Sequence, residues 1–177
     1  MIYLFFVLTV LAGLLYNHAP GFTPAFGALL FCGARLKKRD AVWFPVLVLA
    51  ITDWVATTML FHVQVKWQHA LDLLAFAAMA RIGGLLRDKL TVSRLVGCSL
   101  AGSTAYFLIS NFAVWLSWGI YPHTGEGLLA CYVAAVPYYR SSLLNTLLFA
   151  AVFFGIHEWM HRRQHDKQFA PAPAQLR

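Results

Sequence analysis

The stretch Arg35-Leu-Lys-Lys-Arg39, followed after Asp40 by Ala41-Val-Trp-Phe-Pro-Val-Leu-Val-Leu-Ala-Ile-Thr-Asp-Trp-Val-Ala-Thr-Thr-Met-Leu-Phe61, decides how the chain folds. An apolar run of that length with one acid reads as a transmembrane helix. The basic cluster in front of it marks the end that stays in the cytoplasm, because Lys and Arg resist translocation. Outward in both directions the same alternation of apolar runs and short polar connections recurs. The expected spans are Met1–Tyr16, Ala25–Leu36, Ala41–Phe61, Trp67–Arg87, Val92–Trp118 and Ser141–His161, with a further short helical stretch at Gly127–Val136. All are expected to be helices, since lipid leaves backbone groups to be satisfied within each segment. Arg87-Asp-Lys89 with Arg94, and then Arg162, Arg163, Lys167 and Arg177, fall on the same side as the first cluster. Of the 14 Lys and Arg residues, only Lys66 and Arg140 fall opposite. The fold class expected is all-α: a polytopic membrane protein built as a six-transmembrane-helix bundle, N-in/C-in.

Composition agrees. A chain of 177 residues that is 60% hydrophobic and 12% charged, with mean hydropathy +0.64, has more apolar surface than a soluble domain of this size can bury. One transmembrane domain is expected over residues 1–167, with 168–177, which include Ala-Pro-Ala-Pro, as a disordered cytoplasmic tail. The formal charge of +7 invites a nucleic-acid partner. However, the basic residues sit in short clusters between apolar runs, from which no extended groove can be built, so the expected partner is the lipid bilayer and not nucleic acid. Cys32, Cys98 and Cys131 form no CxxC pair and imply no disulfide. Met1–Tyr16 lacks a positive n-region, and Pro20 follows Ala19, so it reads as a retained span and not a secretory signal. Small residues at four-residue spacing, Gly97/Ala101/Ala105 and Ala130/Ala134, are expected to let helices approach closely.

The second span is too short to cross a bilayer alone, so Asn17-His-Ala-Pro-Gly-Phe-Thr-Pro24 is expected to dip into the bundle from outside. In this topology Asp53, Asp72, Asn111 and Asn145 gather in the outer half of the membrane. A carboxylate at mid-membrane costs roughly 2.5–3.5 kcal/mol on insertion scales, so each acid should be protonated, paired or facing water. Asp53 has two candidate roles: pairing with Arg81 from the inner half of the fourth span, or holding a ligand. Helical spacing places Asp53 with Thr57, His69 with Asp72, and Asn111 with Trp115 on common faces. Candidate binding residues are therefore Asp53 and Asn111 at a floor, His69, Asp72 and Trp115 at the walls, His18, His123 and Tyr121 at a lid, and Asn145. An aromatic-rich rim over a small polar set fits a small-molecule ligand such as a flat heterocycle or a large ring with an axial ligand from Cys131, with a histidine-bound metal ion also open. No cofactor is implied and no enzyme activity is expected.

One motif points elsewhere. His157-Glu158-Trp159-Met160-His161 places two imidazoles at i and i+4 with a glutamate between, the arrangement of an intramembrane zinc metalloprotease. It ends the last span at the basic surface, and no downstream acidic or glycine-rich segment supplies a third ligand, so an interfacial helix end is the favoured reading. A non-binding structural membrane partner is the other alternative.

Four segments carry a resemblance. They are Phe22-Thr-Pro-Ala-Phe-Gly-Ala-Leu-Leu-Phe-Cys-Gly-Ala34, Thr52-Asp53, Asn111-Phe-Ala-Val-Trp-Leu116 and Tyr121-Pro-His-Thr-Gly-Glu-Gly-Leu-Leu-Ala-Cys-Tyr-Val-Ala-Ala-Val-Pro-Tyr-Tyr139. From Phe22 onward the chain resembles an uncharacterised family of bacterial integral membrane proteins that is similar to the S components, the substrate-binding subunits, of energy-coupling factor transporters. The chain departs from that pattern at Gly21, where an Asn usually precedes the Phe, and at Leu144-Asn145, where Gly-Asp is common. The resemblance implies a bacterial cytoplasmic (inner) membrane location and capture of a vitamin-like micronutrient from outside. It also implies a transmembrane coupling subunit and an ATPase module as partners, the subunit contacting the face of small residues.

Overall fold

Phe26 to Ala34 is apolar on every face, and a helix of that kind must be surrounded. In the computed structural model, which describes residues 2–15, 24–60, 62, 67 and 69–168, all nine of these residues are buried. They form α2 (Ala25–Arg35), enclosed by α1 (Ile2–Leu15), α3 (Asp40–Val55), α4 (His69–Gly83), α5 (Val92–Ser117) and α6 (Gly125–Gln168). A π-helical turn, Ala56–Leu60, extends α3, and a 3-10 turn, Gly84–Leu86, extends α4. Among the described residues there is no strand.

Glycines set how closely α2 is gripped. A Cβ on Gly33 would stand 2.0 Å from the Ala80 carbonyl oxygen, and one on Gly83 would stand 2.4 Å from the Leu30 carbonyl oxygen. The α2 and α4 backbones therefore touch, an approach only small residues permit. Of the small residues singled out from spacing, only Ala105 is half-buried. A Cβ on Gly97 would meet nothing within 4 Å, and Ala101, Ala130 and Ala134 are exposed. Spacing alone marks a smooth face but not whether this chain covers it.

Side-chain contacts give the helix directions. Phe26 meets Phe76 while Gly33 meets Ala80 and Gly84, so α2 and α4 run parallel. Gly27 meets Ala150 and Phe31 meets Phe154, so α2 and α6 do too. Phe5 packs edge-on to Phe31, and Gly13 lies near Pro24, so α1 runs against α2. Tyr3 donates to Asp40 at 2.6 Å, bringing the starts of α1 and α3 to one level.

The basic connections close helix ends. Arg87 donates to the Gly33 carbonyl at 2.8 Å, and Arg94 donates to the Leu85 and Lys89 carbonyls at 2.7 and 3.1 Å. Cations at C-terminal carbonyls satisfy orphan acceptors and complement the helix dipole. Thr91 accepts the Arg94 N–H at 3.3 Å and caps the start of α5.

The expected break between Gly127–Val136 and Ser141–His161 is absent: one helix of 44 residues runs from Gly125 to Gln168, through Pro137. Proline deletes one backbone hydrogen bond and costs about 3 kcal/mol in a helix interior. Packing on α5 offsets this on both sides of it, with Tyr132 donating to the Leu108 carbonyl at 2.8 Å and Tyr139 meeting the Thr104 hydroxyl at 3.0 Å. The connection expected over Gly119–Arg140 thus shrinks to the turn before Gly125. The expected loop dipping in over residues 17–24 falls outside the described residues except for Pro24, as does the tail beyond Gln168.

Four helical stretches are long and apolar enough to cross a membrane: Asp40–Met59, His69–Leu86, Val92–Ser117 and Gly125–Arg163. Only 17–28% of their most apolar windows is buried within the chain. Apolar surface on that scale needs a lipid solvent, which makes this an all-helical membrane protein.

Candidate functional site

Asp53 sits where α3 gives way to its π-helical turn. The Thr52 and Asp53 carbonyls both receive the Ala56 N–H, and the Thr52 hydroxyl donates back to the Val48 carbonyl at 2.8 Å. Such local departures from α geometry re-aim side chains and recur at functional sites. The Asp53 carboxylate is aimed at the first residue of α4, and its Oδ2 lies 2.7 Å from His69 Nδ1. The pair is partly covered, with His69 23% and Asp53 43% exposed. Asp53 does not pair with Arg81, which lies twelve residues or about 18 Å along α4 from His69 and is exposed.

Asp72, on the same α4 face as His69, lies within electrostatic reach of both Asp53 and His69. Tyr106 of α5 lies within electrostatic range of both carboxylates. Its ring stacks on Phe76 with centroids 5.6 Å apart and packs on Phe26 at 4.4 Å, so the site rests directly on the buried helix α2. Tyr106 was not among the residues singled out from the sequence. A lone tyrosine in an apolar span carried the signal, since its hydroxyl needs a polar neighbour. Two carboxylates, an imidazole and a phenol between α3, α4 and α5 form a set able to accept hydrogen bonds from a solute and to balance a positive charge.

The remaining sequence candidates lie apart. Asn111 donates to the Phe107 carbonyl of its own helix at 2.8 Å, and its carbonyl accepts from Cys131 Sγ at 3.5 Å. Five residues separate it from Tyr106, about 140° around α5, so it faces α6 and not the acidic pair. Trp115 Nε1 donates to the Pro122 carbonyl at 3.0 Å, and His123 Nε2 lies 3.1 Å from the Trp115 carbonyl. These two side chains build the α5–α6 turn, in which Tyr121 is half-buried. Asn145 is half-buried on α6 beside Thr146, which accepts from Ser103 at 3.1 Å. His18 lies outside the described residues.

At the opposite end of the bundle, Glu158 is ion-paired with Arg35. That engages the carboxylate a zinc protease would need as its base. The His157 and His161 rings stand side by side with centroids 6.4 Å apart, and His157 packs edge-on to Phe31. Among the described residues, no group of three or more His, Cys, Asp or Glu side chains is arranged to hold a metal ion.

No curated protein and no solved structure matches the chain. A family profile does, over residues 1–172, which takes in every helix and every candidate residue above. This all-helical membrane protein therefore belongs to DUF6580, a family of unknown function.

Proposed function

We propose that this protein is a membrane receptor that captures a small solute between α3, α4 and α5 for uptake, acting as the substrate-binding subunit of a transport system. The observation that carries the reading is the Asp53–His69 pair with Asp72 and Tyr106 beside it. Ionisable groups within membrane-crossing helices are costly, and their retention in one cluster is the mark of a ligand or ion site. The reading uses six membrane-crossing helices with both ends in the cytoplasm of a bacterial cell, so that the cluster opens outward. α1 and α2 complete the six because α2, though short, is enclosed by the others.

The solute is a vitamin-like or other small micronutrient that carries hydrogen-bond donors or a positive charge for the two carboxylates. A coupling subunit with an ATPase module would drive release, docking on the exposed Gly97/Ala101 face of α5. The alternative as a zinc protease gains no support, since Arg35 occupies Glu158.

Absorbance and mass spectrometry of whatever co-purifies with gently solubilised protein test the reading. A retained solute lost in Asp53→Asn and in His69→Gln, both folded, is the expected result. Solute-free wild-type protein after growth in rich medium, or retention unchanged by both substitutions, would refute it.

A further inference from the structure

Far from the acidic cluster, α1 and the last apolar turns of α6 enclose an open groove of about 470 Å³. That volume lies within the roughly 300–1,000 Å³ of small-ligand sites. Its walls are Ile2, Phe5, Leu8, Phe31, Phe153 and Ile156, and its polar residues are His157 and His161 alone. Leu8 is 56% exposed and Ile156 51%, so the groove opens sideways to the surroundings of the bundle.

The polarity sits at one end. His157 and His161 are one turn apart on α6, with Arg35 behind them, ion-paired to Glu158 and over the Phe154 ring at 5.7 Å. His157 Nδ1 is buried with Glu158 Oε1 at 3.8 Å, too far for a hydrogen bond, and Arg35 Nε is buried without a hydrogen-bond partner. Trp159, with the Arg163 guanidinium 4.0 Å over its ring, marks this level as a membrane interface, where amphipathic rings and snorkelling cations settle. The Tyr3–Asp40 bond sets the start of α1 at the level of the connection carrying Lys37, Lys38 and Arg39. An apolar channel with donors and cations at its interfacial mouth matches an acyl chain below an anionic head. A second copy of this chain in the same orientation is a poorer fit, because it would bring the same cationic end to the same level.

We propose that this groove binds one anionic phospholipid, its acyl chain along Phe5, Leu8 and Phe153 and its phosphate at His157 and His161. The site is separate from the solute cluster and stands whether or not that cluster binds a solute.

Native mass spectrometry of the full chain, released from micelles holding equimolar phosphatidylglycerol and phosphatidylcholine, tests it. The wild type should retain one phosphatidylglycerol in preference to phosphatidylcholine by about fivefold, the worth of roughly one hydrogen bond from an imidazole to a headgroup phosphate that has no choline of its own to pair with. His157→Gln/His161→Gln should abolish the preference. Leu8→Trp, which fills the groove from an exposed position, should abolish retention of both lipids while the protein stays folded by thermal unfolding. Equal retention of the two lipids by the wild type overturns the proposal by itself, even if either variant fails to fold. Unchanged selectivity in a folded double variant, undiminished retention in folded Leu8→Trp, or a dimer that Leu8→Trp dissociates would also overturn it.

Discussion

At the scale of single residues, two glycines of like composition play opposite parts. Gly33 has the Ala80 carbonyl where a side chain would begin, whereas Gly97 faces open space. Gly33→Ala should lose about 3 kcal/mol or more, since neither backbone can retreat without unpacking α2 from α4. Gly97→Ala should be neutral or stabilising by up to about 1 kcal/mol through helix propensity. Thermal unfolding of both variants in one detergent checks the contrast. His69→Ala should cost only about 1 kcal/mol, because an Asp53 carboxylate that is 43% exposed keeps access to water when its partner is removed. A loss above about 3 kcal/mol in the same assay would mean the pair acts as a buried structural bridge. Asp53, His69 and Asp72 were legible as candidates, the acids because they are costly in lipid and His69 by its helical spacing from Asp72, but they were grouped with Asn111 and Trp115, which lie apart. The mutual geometry of the three was not legible, since the reach of Arg81 depends on where α4 starts, which periodicity leaves open by several residues.

At the scale of elements, most helix ends were readable, and the exceptions share a cause. Val92–Ser117 and Ala25–Arg35 begin and end within a residue of where polarity changes. The error fell at Pro137, because a proline between apolar turns reads locally as a stop, while the Tyr132 and Tyr139 bonds that carry α6 past it come from a helix distant in sequence. Pro137→Ala should restore the hydrogen bond to the Val133 carbonyl and stabilise the protein by up to about 3 kcal/mol. Hydrogen exchange slowed across residues 134–141, together with a higher unfolding temperature, is the expected outcome. Unchanged exchange would show that the helix already relaxes around the proline at no cost. The same limit hid the roles of Arg87 and Arg94, whose charge spoke for sidedness while their bonds to the Gly33 and Leu85 carbonyls are a matter of packing.

For the whole molecule, sidedness is the property on which the reading of solute capture turns, and the protein carries its own control. Cys32, Cys98 and Cys131 are free and buried, so a polar maleimide should leave the wild type unlabelled in intact cells. A single cysteine replacing exposed Ile120 should label from outside, and one replacing exposed Lys38 should label only after permeabilisation. The reverse pattern would turn the acidic cluster toward the cytoplasm and end the proposal of capture from outside. The all-helical, membrane-embedded character was legible from composition and run length, since lipid imposes it on any chain so apolar. Which helix lies at the centre was legible only in part: the shortness of the second apolar run demanded cover, but its glycines did not say which neighbours supply it. That cover also constrains biosynthesis. Two of the walls around α2 are α4 and α6, and α6 leaves the ribosome after the other five described helices. A segment of 11 residues, about 17 Å long, cannot rest stably across a bilayer in the meantime, so nascent chains must hold it in a provisional site until α6 arrives. Messages truncated ahead of α6 should therefore yield products that quality-control proteases clear, even with α1 to α5 complete.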